Sequence, residues 1–118
     1  MKDLNKRRFQ MFDIGWIADY PDPENFLDVL FYSDSSNNHT NYNNPRVNTL
    51  LEKARVETDE MLRFSIYNEV EQTILDDAPW IPLWYSGERY LLVKPNVHDY
   101  LQTPLIIPKL KHVYLTEE

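Results

Sequence analysis

Twice along this chain an Asp or Asn able to cap a helix stands directly before a proline, at Asp22-Pro23 and at Asn44-Pro45. Asp and Asn oxygens accept hydrogen bonds from the free amides of a first helical turn. Proline suits the first helical position, where its missing amide hydrogen costs nothing. The first helix is predicted over Pro23–Tyr32, burying Phe26, Leu27, Leu30 and Phe31. In the second, Val47, Leu50, Leu51 and Ala54 recur at i, i+3, i+4 and i+7, one face of a helix. The Asn- and Ser-rich tract Ser33–Asn44 between them reads as a surface loop. It contains Asn38-His39-Thr40, formally a glycosylation acceptor. A third helix is expected to be capped by Thr58, with Asp59 and Glu60 in the first turn where the helix dipole favours anions. It turns Leu62, Ile66, Tyr67, Val70 and Ile74 to the core and stops before Pro79.

The rest of the chain reads as extended. Over Arg8–Ala18, Phe12, Ile14 and Trp16 alternate with Asp13, Gly15 and Ile17, the period of a strand. Gly15 inside it points to a close backbone approach or a bulge. Trp80–Tyr85 is almost wholly apolar and is predicted to be a buried strand; Tyr90–Val93, ended by Lys94-Pro95, is a second candidate. Pro104 and Pro108 argue for extended, irregular packing in the tail, with a last strand over His112–Leu115. One strand, three helices and then further strands make a mixed α/β class, with no internal repeat.

Composition narrows what such a chain can do. At 118 residues it holds one domain, and its eight tyrosines, five phenylalanines and three tryptophans suffice for a core or an aromatic cleft. A net charge of −7 makes nucleic acid a poor partner, and the short cluster Lys6-Arg7-Arg8 reads as a solvated lead-in to the first strand. Without cysteine there is no disulfide framework, thiolate metal site or cysteine nucleophile. Two glycines leave no GxGxxG or GxxxxGK[ST] phosphate loop. No apolar run reaches transmembrane length, and no charged-apolar-small leader opens the chain, so targeting information is expected to be missing or removed.

The sharpest candidate site is Gly15-Trp16-Ile17-Ala18-Asp19-Tyr20-Pro21-Asp22-Pro23, with an acidic residue just past an apolar strand. Strand ends are where α/β proteins bind ligands, so Asp19 can anchor a cationic group; equally, it can cap a turn. Asp19, Asp22 and Glu24 together suggest calcium, yet the further oxygen ligands and spaced glycine of a calcium loop are missing. A glycosidase pair would need a second carboxylate that the sequence does not single out. His39, His98 and His112 lack metal-ligand spacing, and Ser33, Ser35 and Ser36 lie in the polar loop with no GxSxG context. Trp80, Trp84, Tyr85 and Tyr90 form a second aromatic group, either core or, for one or two of them, cleft lining.

In combination and in order, the runs GWIADYPDPENFLDVLFYS, NYNNPRVNTLLEKA, RFSIYNEVEQTILDDAPWIPLWY and YLLVKPNVHDY resemble the C-terminal portion of family 5 extracellular solute-binding proteins. These serve ATP-driven importers of dipeptides, oligopeptides and nickel. The resemblance implies a two-lobed, periplasmic-binding-protein-like fold. Residues 1–79 would lie in the distal lobe, and residues 80–118 would form a crossover strand and a C-terminal segment on the other lobe. It implies non-covalent recognition of a peptide, with no enzyme activity and no cofactor. Asp19 would pair with the α-ammonium group, Trp16 and Tyr20 would stand beside it, and Trp84 and Tyr85 would meet the peptide backbone. It also implies a periplasmic or extracellular, membrane-anchored full-length protein that works with transporter permease subunits. A nickel, sugar or other solute receptor, a carboxylate hydrolase using Asp19 with Asp22 or Glu24, and a structural remnant are the alternatives. Because family proteins are several times longer, this chain is expected to self-associate or to be part of a longer protein.

Overall fold

The computed structural model describes residues 10–85, 91–102 and 109–117. The element order is α1 (Glu24–Phe31), α2 (Pro45–Val56), α3 (Glu60–Asp77), β1 (Val97–His98), a 3-10 turn (Leu110–His112) and β2 (Tyr114–Leu115). Three helices followed by a small antiparallel sheet give the mixed class expected. The chain divides into two compact units, Met1–Ile81 and Pro82–Glu118.

The first unit is built on the helix starts. Asn44 accepts hydrogen bonds from the amides of Arg46 and Val47, and Pro45 is the first residue of α2. At α1, Asp22 Oδ1 accepts from the Glu24 amide at 2.9 Å. The third cap is one residue later than expected: Asp59, not Thr58, accepts from the Leu62 amide at 2.9 Å. A carboxylate caps at least as well as a hydroxyl, and Glu57 secures the turn by accepting from the Asp59 amide. α3 ends at Asp77, where Ala78 turns into the left-handed region at φ 48° ahead of Pro79.

α3 packs against both α1 and α2. The core joins Leu30 and Phe31 of α1, Val47, Leu51 and Ala54 of α2, and Ile66, Tyr67, Val70 and Ile74 of α3. Half-buried Trp16, Leu27, Tyr42 and Trp80 pack around it, with the Trp80 ring 5.0 Å from that of Phe31. Leu62 stays exposed one turn ahead of the buried stripe. α1 is rotated from the expected face. Phe26 is 42% exposed, while Asn25 and Asp28 are buried with Leu30 and Phe31. The two polar residues can point inward because both find partners there. The Arg55 guanidinium donates to both Asp28 oxygens at 2.7 and 2.8 Å and lies 4.3 Å over the Tyr32 ring.

The polar tract is an ordered loop organised by Asn38. Its Nδ2 donates to the carbonyls of Tyr32 (3.2 Å) and Tyr42 (2.8 Å), and its Oδ1 accepts from the Tyr42 amide (3.0 Å) and the Thr40 hydroxyl (3.3 Å). The nitrogen a glycan would need is thus buried and occupied. At the loop's end, Tyr42 and Asn44 both donate to Asp77 Oδ2 at 2.6 Å.

Several extended segments differ from expectation. Residues 10–18 carry the alternation, with Phe12, Ile14, Trp16 and Ala18 turned inward and their neighbours exposed, but they form no ladder. A strand needs a paired backbone, and no described segment supplies one. Arg8, like Lys6 and Arg7, lies outside the described residues. A side chain at Gly15 would meet nothing within 4 Å, so the glycine serves no close approach. Residues 81–85 are not a buried strand: Trp84 and Tyr85 are 79% and 90% exposed. Leu91, Leu92 and Val93 are likewise exposed and unpaired; Tyr90, Pro104 and Pro108 lie outside the described residues. In the second unit, β1 instead pairs with β2, Val97 opposite Leu115 and His98 opposite Tyr114. The His98 and Tyr114 rings stack at 5.1 Å, and Asn96 Nδ2 donates to the Thr116 carbonyl at 3.2 Å. The expected last strand is thus present over Tyr114–Leu115, with His112 in the preceding 3-10 turn.

Candidate functional site

The site residues follow from how the chain enters α1. Trp16 leans inward against the core, and the chain then turns through Asp19–Asp22 before the helix begins. Asn25, in the first turn of α1, is only 2% exposed. Its Oδ1 accepts two hydrogen bonds, from the Trp16 indole N–H at 3.0 Å and from the Asp19 backbone N–H at 3.2 Å. The turn is closed by the Asp22 amide donating to the Tyr20 carbonyl at 2.9 Å. Trp16 and Asp19, with Tyr20 next in the chain, are thus gathered around a residue that composition and periodicity did not mark.

Of the three carboxylates of this turn, Asp22 and Glu24 have partners among the described residues. Asp22 is gripped by the Arg63 guanidinium from α3 at 2.7 and 2.8 Å. Arg63's hydrogen bonds, aided by the Glu24 amide, hold the Asp22 carboxyl below its usual range although burial opposes the shift. An acid or base of a glycosidase needs a carboxyl poised to take up a proton, and Asp22 is tuned the other way. Glu24 accepts from the Tyr20 hydroxyl at 3.1 Å. Tyr20 itself is raised in pKa: Asn25 beside it pulls down, and burial together with the Glu24 bond and charge outweighs that pull. The Asp19 carboxylate makes no hydrogen bond or ion pair among the described residues and is exposed. It caps no turn there, since Asp22 and Asn25 do that work. Among the described residues no three histidine, aspartate or glutamate side chains converge as a metal site.

Trp84 and Tyr85 belong to the second unit, where both stand exposed. A shallow depression of that unit, about 460 Å³, is lined by Pro95, Asn96, His98 and Thr116 and includes none of the expected site residues. Besides Asn25, sequence reasoning missed Arg63 and Arg55, whose carboxylate partners lie 41 and 27 positions away. The one sequence signal for Asn25 and Asp28 is their three-residue spacing on a helix, which puts two polar groups on the same face.

No family model matches the chain. Among curated proteins it is 34% identical over 116 residues to the periplasmic oligopeptide-binding protein OppA of Salmonella typhimurium, covering 95% of this chain and 21% of that protein. It is 28% identical over 111 residues to the oligopeptide-binding protein OppA of Bacillus subtilis, covering 94% of this chain and 19% of that protein. It is 33% identical over 92 residues to the heme-binding protein A of Haemophilus influenzae, covering 76% of this chain and 17% of that protein. These matches are those of a C-terminal fragment of a family 5 extracellular solute-binding protein. It spans about a fifth of the length of the solute-binding proteins it matches. Those relatives are named as binding proteins, and the described helices are too short or too polar to cross a membrane.

Proposed function

We propose that this chain is the amine-recognising part of a peptide receptor for an ATP-driven importer, acting without covalent chemistry at the periplasmic or extracellular face. The observation that carries the reading is the exposed Asp19 carboxylate, unengaged among the described residues and fixed through its own backbone beside Trp16. A carboxylate meeting an ammonium group is a strong, directional contact, and an adjacent indole excludes water from one side of it. The names of the oligopeptide-binding relatives support a peptide as the solute. Tyr20 borders the same turn, and Trp84 and Tyr85 offer exposed aromatic faces suited to a peptide backbone. Permease subunits are the partners of the longer protein in this reading. Alone, the chain is expected to self-associate through its exposed apolar side chains, Leu92, Trp84 and Tyr85 among them, and a clean monomer on size-exclusion chromatography would contradict that.

The test is calorimetric, in a chimera carrying this chain in place of the matching fifth of the Salmonella protein. Tri-alanine should bind, and Asp19→Asn should weaken it by roughly 30-fold to a few thousand-fold, the equivalent of ~2–5 kcal/mol for one partner of a desolvated charge pair. Unchanged affinity would remove Asp19 as the anchor. A second reading, another solute of the same receptor class, is favoured by the relative named for heme; heme binding by the same chimera, indifferent to Asp19→Asn, would support it.

A further inference from the structure

We propose that Asn25 is the positioning residue of the amine site: its buried carboxamide oxygen holds the Trp16 indole and the Asp19 backbone together and so sets where the Asp19 carboxylate stands. The inference rests on the reading of Asp19 as an amine anchor. Its basis is geometric. Residues 10–18 have no ladder among the described residues, so nothing of that kind fixes the level at which the chain reaches Asp19. Asn25 supplies the missing constraint from one atom, accepting from Trp16 Nε1 at 3.0 Å and from the Asp19 amide at 3.2 Å.

The support behind Asn25 is rigid. Its own amide donates to the Asp22 carbonyl at 3.1 Å, and Asp22 is bound by both arms of Arg63. A continuous set of contacts thus runs from α3 through Asp22 and the head of α1 to the two site residues. The side chain is also chemically selective. An oxygen acceptor is needed twice, because the indole N–H and the peptide N–H can only donate. A neutral carboxamide accepts both without placing a second negative charge behind Asp19, where a carboxylate would compete for the same ammonium group. An apolar residue of the same size would fill the space but leave both donors without their partner.

Two measurements test the assignment. In the 15N-labelled chain, the Trp16 indole N–H signal, identified by its loss in Trp16→Phe, reports the first contact without any ligand. Asn25→Leu should shift that signal and speed its hydrogen exchange by about tenfold, the loss of one hydrogen bond, while helical circular dichroism is retained. In the OppA chimera, the preference for tri-alanine over N-acetylated tri-alanine should fall by about tenfold in Asn25→Leu, with affinity for the acetylated peptide unchanged. Asn25→Asp, which keeps the acceptors, should preserve the Trp16 signal. Where Asn25→Leu does not fold, Asn25→Gln, whose carboxamide is displaced by one methylene, is read on both scales and should lose the preference. An unchanged Trp16 signal, or equal losses for the two peptides, overturns the assignment. If Asp19→Asn leaves the peptide preference intact, the amine-anchor reading fails, and the Asn25 contacts are still judged on the Trp16 signal alone.

Discussion

Arg63 meets Asp22 with both arms of its guanidinium, Nη1 to Oδ2 at 2.8 Å and Nη2 to Oδ1 at 2.7 Å, across 41 positions of sequence. The same guanidinium donates to the Tyr67 hydroxyl at 3.1 Å and lies 4.9 Å over that ring, so a neighbour on α3 itself steadies the fork that holds the entry to α1. A lysine reaches the carboxylate as a point charge and cannot reproduce the fork. Arg63→Lys should therefore cost about 1–2 kcal/mol. In a thermal melt followed by circular dichroism each kcal/mol should appear as a fall of roughly 4–8 °C. A melt superimposable on the parent's would show that the fork adds nothing beyond its charge.

Acid should weaken the first unit through two carboxylates. Asp22 is held low by the hydrogen bonds of Arg63, and Asp77 by those of Tyr42 and Asn44. In the unfolded chain both titrate near the ordinary carboxylate value of about 4. Between that value and the lower folded ones the unfolded chain binds more protons, so stability is fully present above the unfolded value and is lost as pH falls through the folded one. Urea midpoints measured at several pH values from neutrality downward should decline through this window. Arg63→Met and Tyr42→Phe should each flatten the decline; an acid limb as steep in both variants as in the parent would contradict the assignment.

How much of this could be read from the chain depends on the range of the forces involved. Helix starts are local: Asn44-Pro45 and Asp22-Pro23 place caps beside the amides they serve, and α2 and α3 bury most of the stripes their spacing sets out, with Leu62 left exposed and Leu50 half-buried. The alternation over Phe12–Ala18 was legible too, because it reflects which side chains turn inward, even where no ladder forms. Pairing was not legible. Val97–His98 is a strand because Leu115 and Tyr114 lie opposite it, and nothing local to Tyr90–Val93 or Trp80–Tyr85 reveals whether a partner exists. The face of α1 was misjudged for a related reason. Hydrophobicity assigned the inside to Phe26, whereas Asn25 and Asp28 went in because Trp16, Asp19 and Arg55 could satisfy them there.

Asp28 and Arg55 should behave as a coupled pair. The Asp28 side chain is 10% exposed against 41% for Arg55, so losing the arginine leaves a nearly buried carboxylate without its counter-charge. Arg55→Met should cost about 2–3 kcal/mol, somewhat below a fully buried pair because solvent reaches the arginine. Adding Asp28→Asn to that variant should return about 1 kcal/mol. Urea denaturation of the four proteins measures the coupling, and strictly additive losses would mean that the two side chains act independently.

Ala78 should gain from losing its methyl group. It sits at φ 48° directly after α3 and before Pro79, a conformation that costs a residue bearing a Cβ and that glycine adopts freely. Ala78→Gly should raise stability by about 0.5–1 kcal/mol, read as a higher melting temperature. A lower one would indicate that the methyl group makes a contact worth more than the strain it carries.

Asn38 gives the stretch between α1 and α2 a definite shape despite a make-up that resembles a spacer. For protein engineering this means that the stretch belongs to the helical bundle and has to travel with it. Trimming it, or threading a tag through it, would strip the Tyr32 and Tyr42 carbonyls of the amide that now serves them. The graft would then lose its footing at α2 before any residue near Asp19 had been touched.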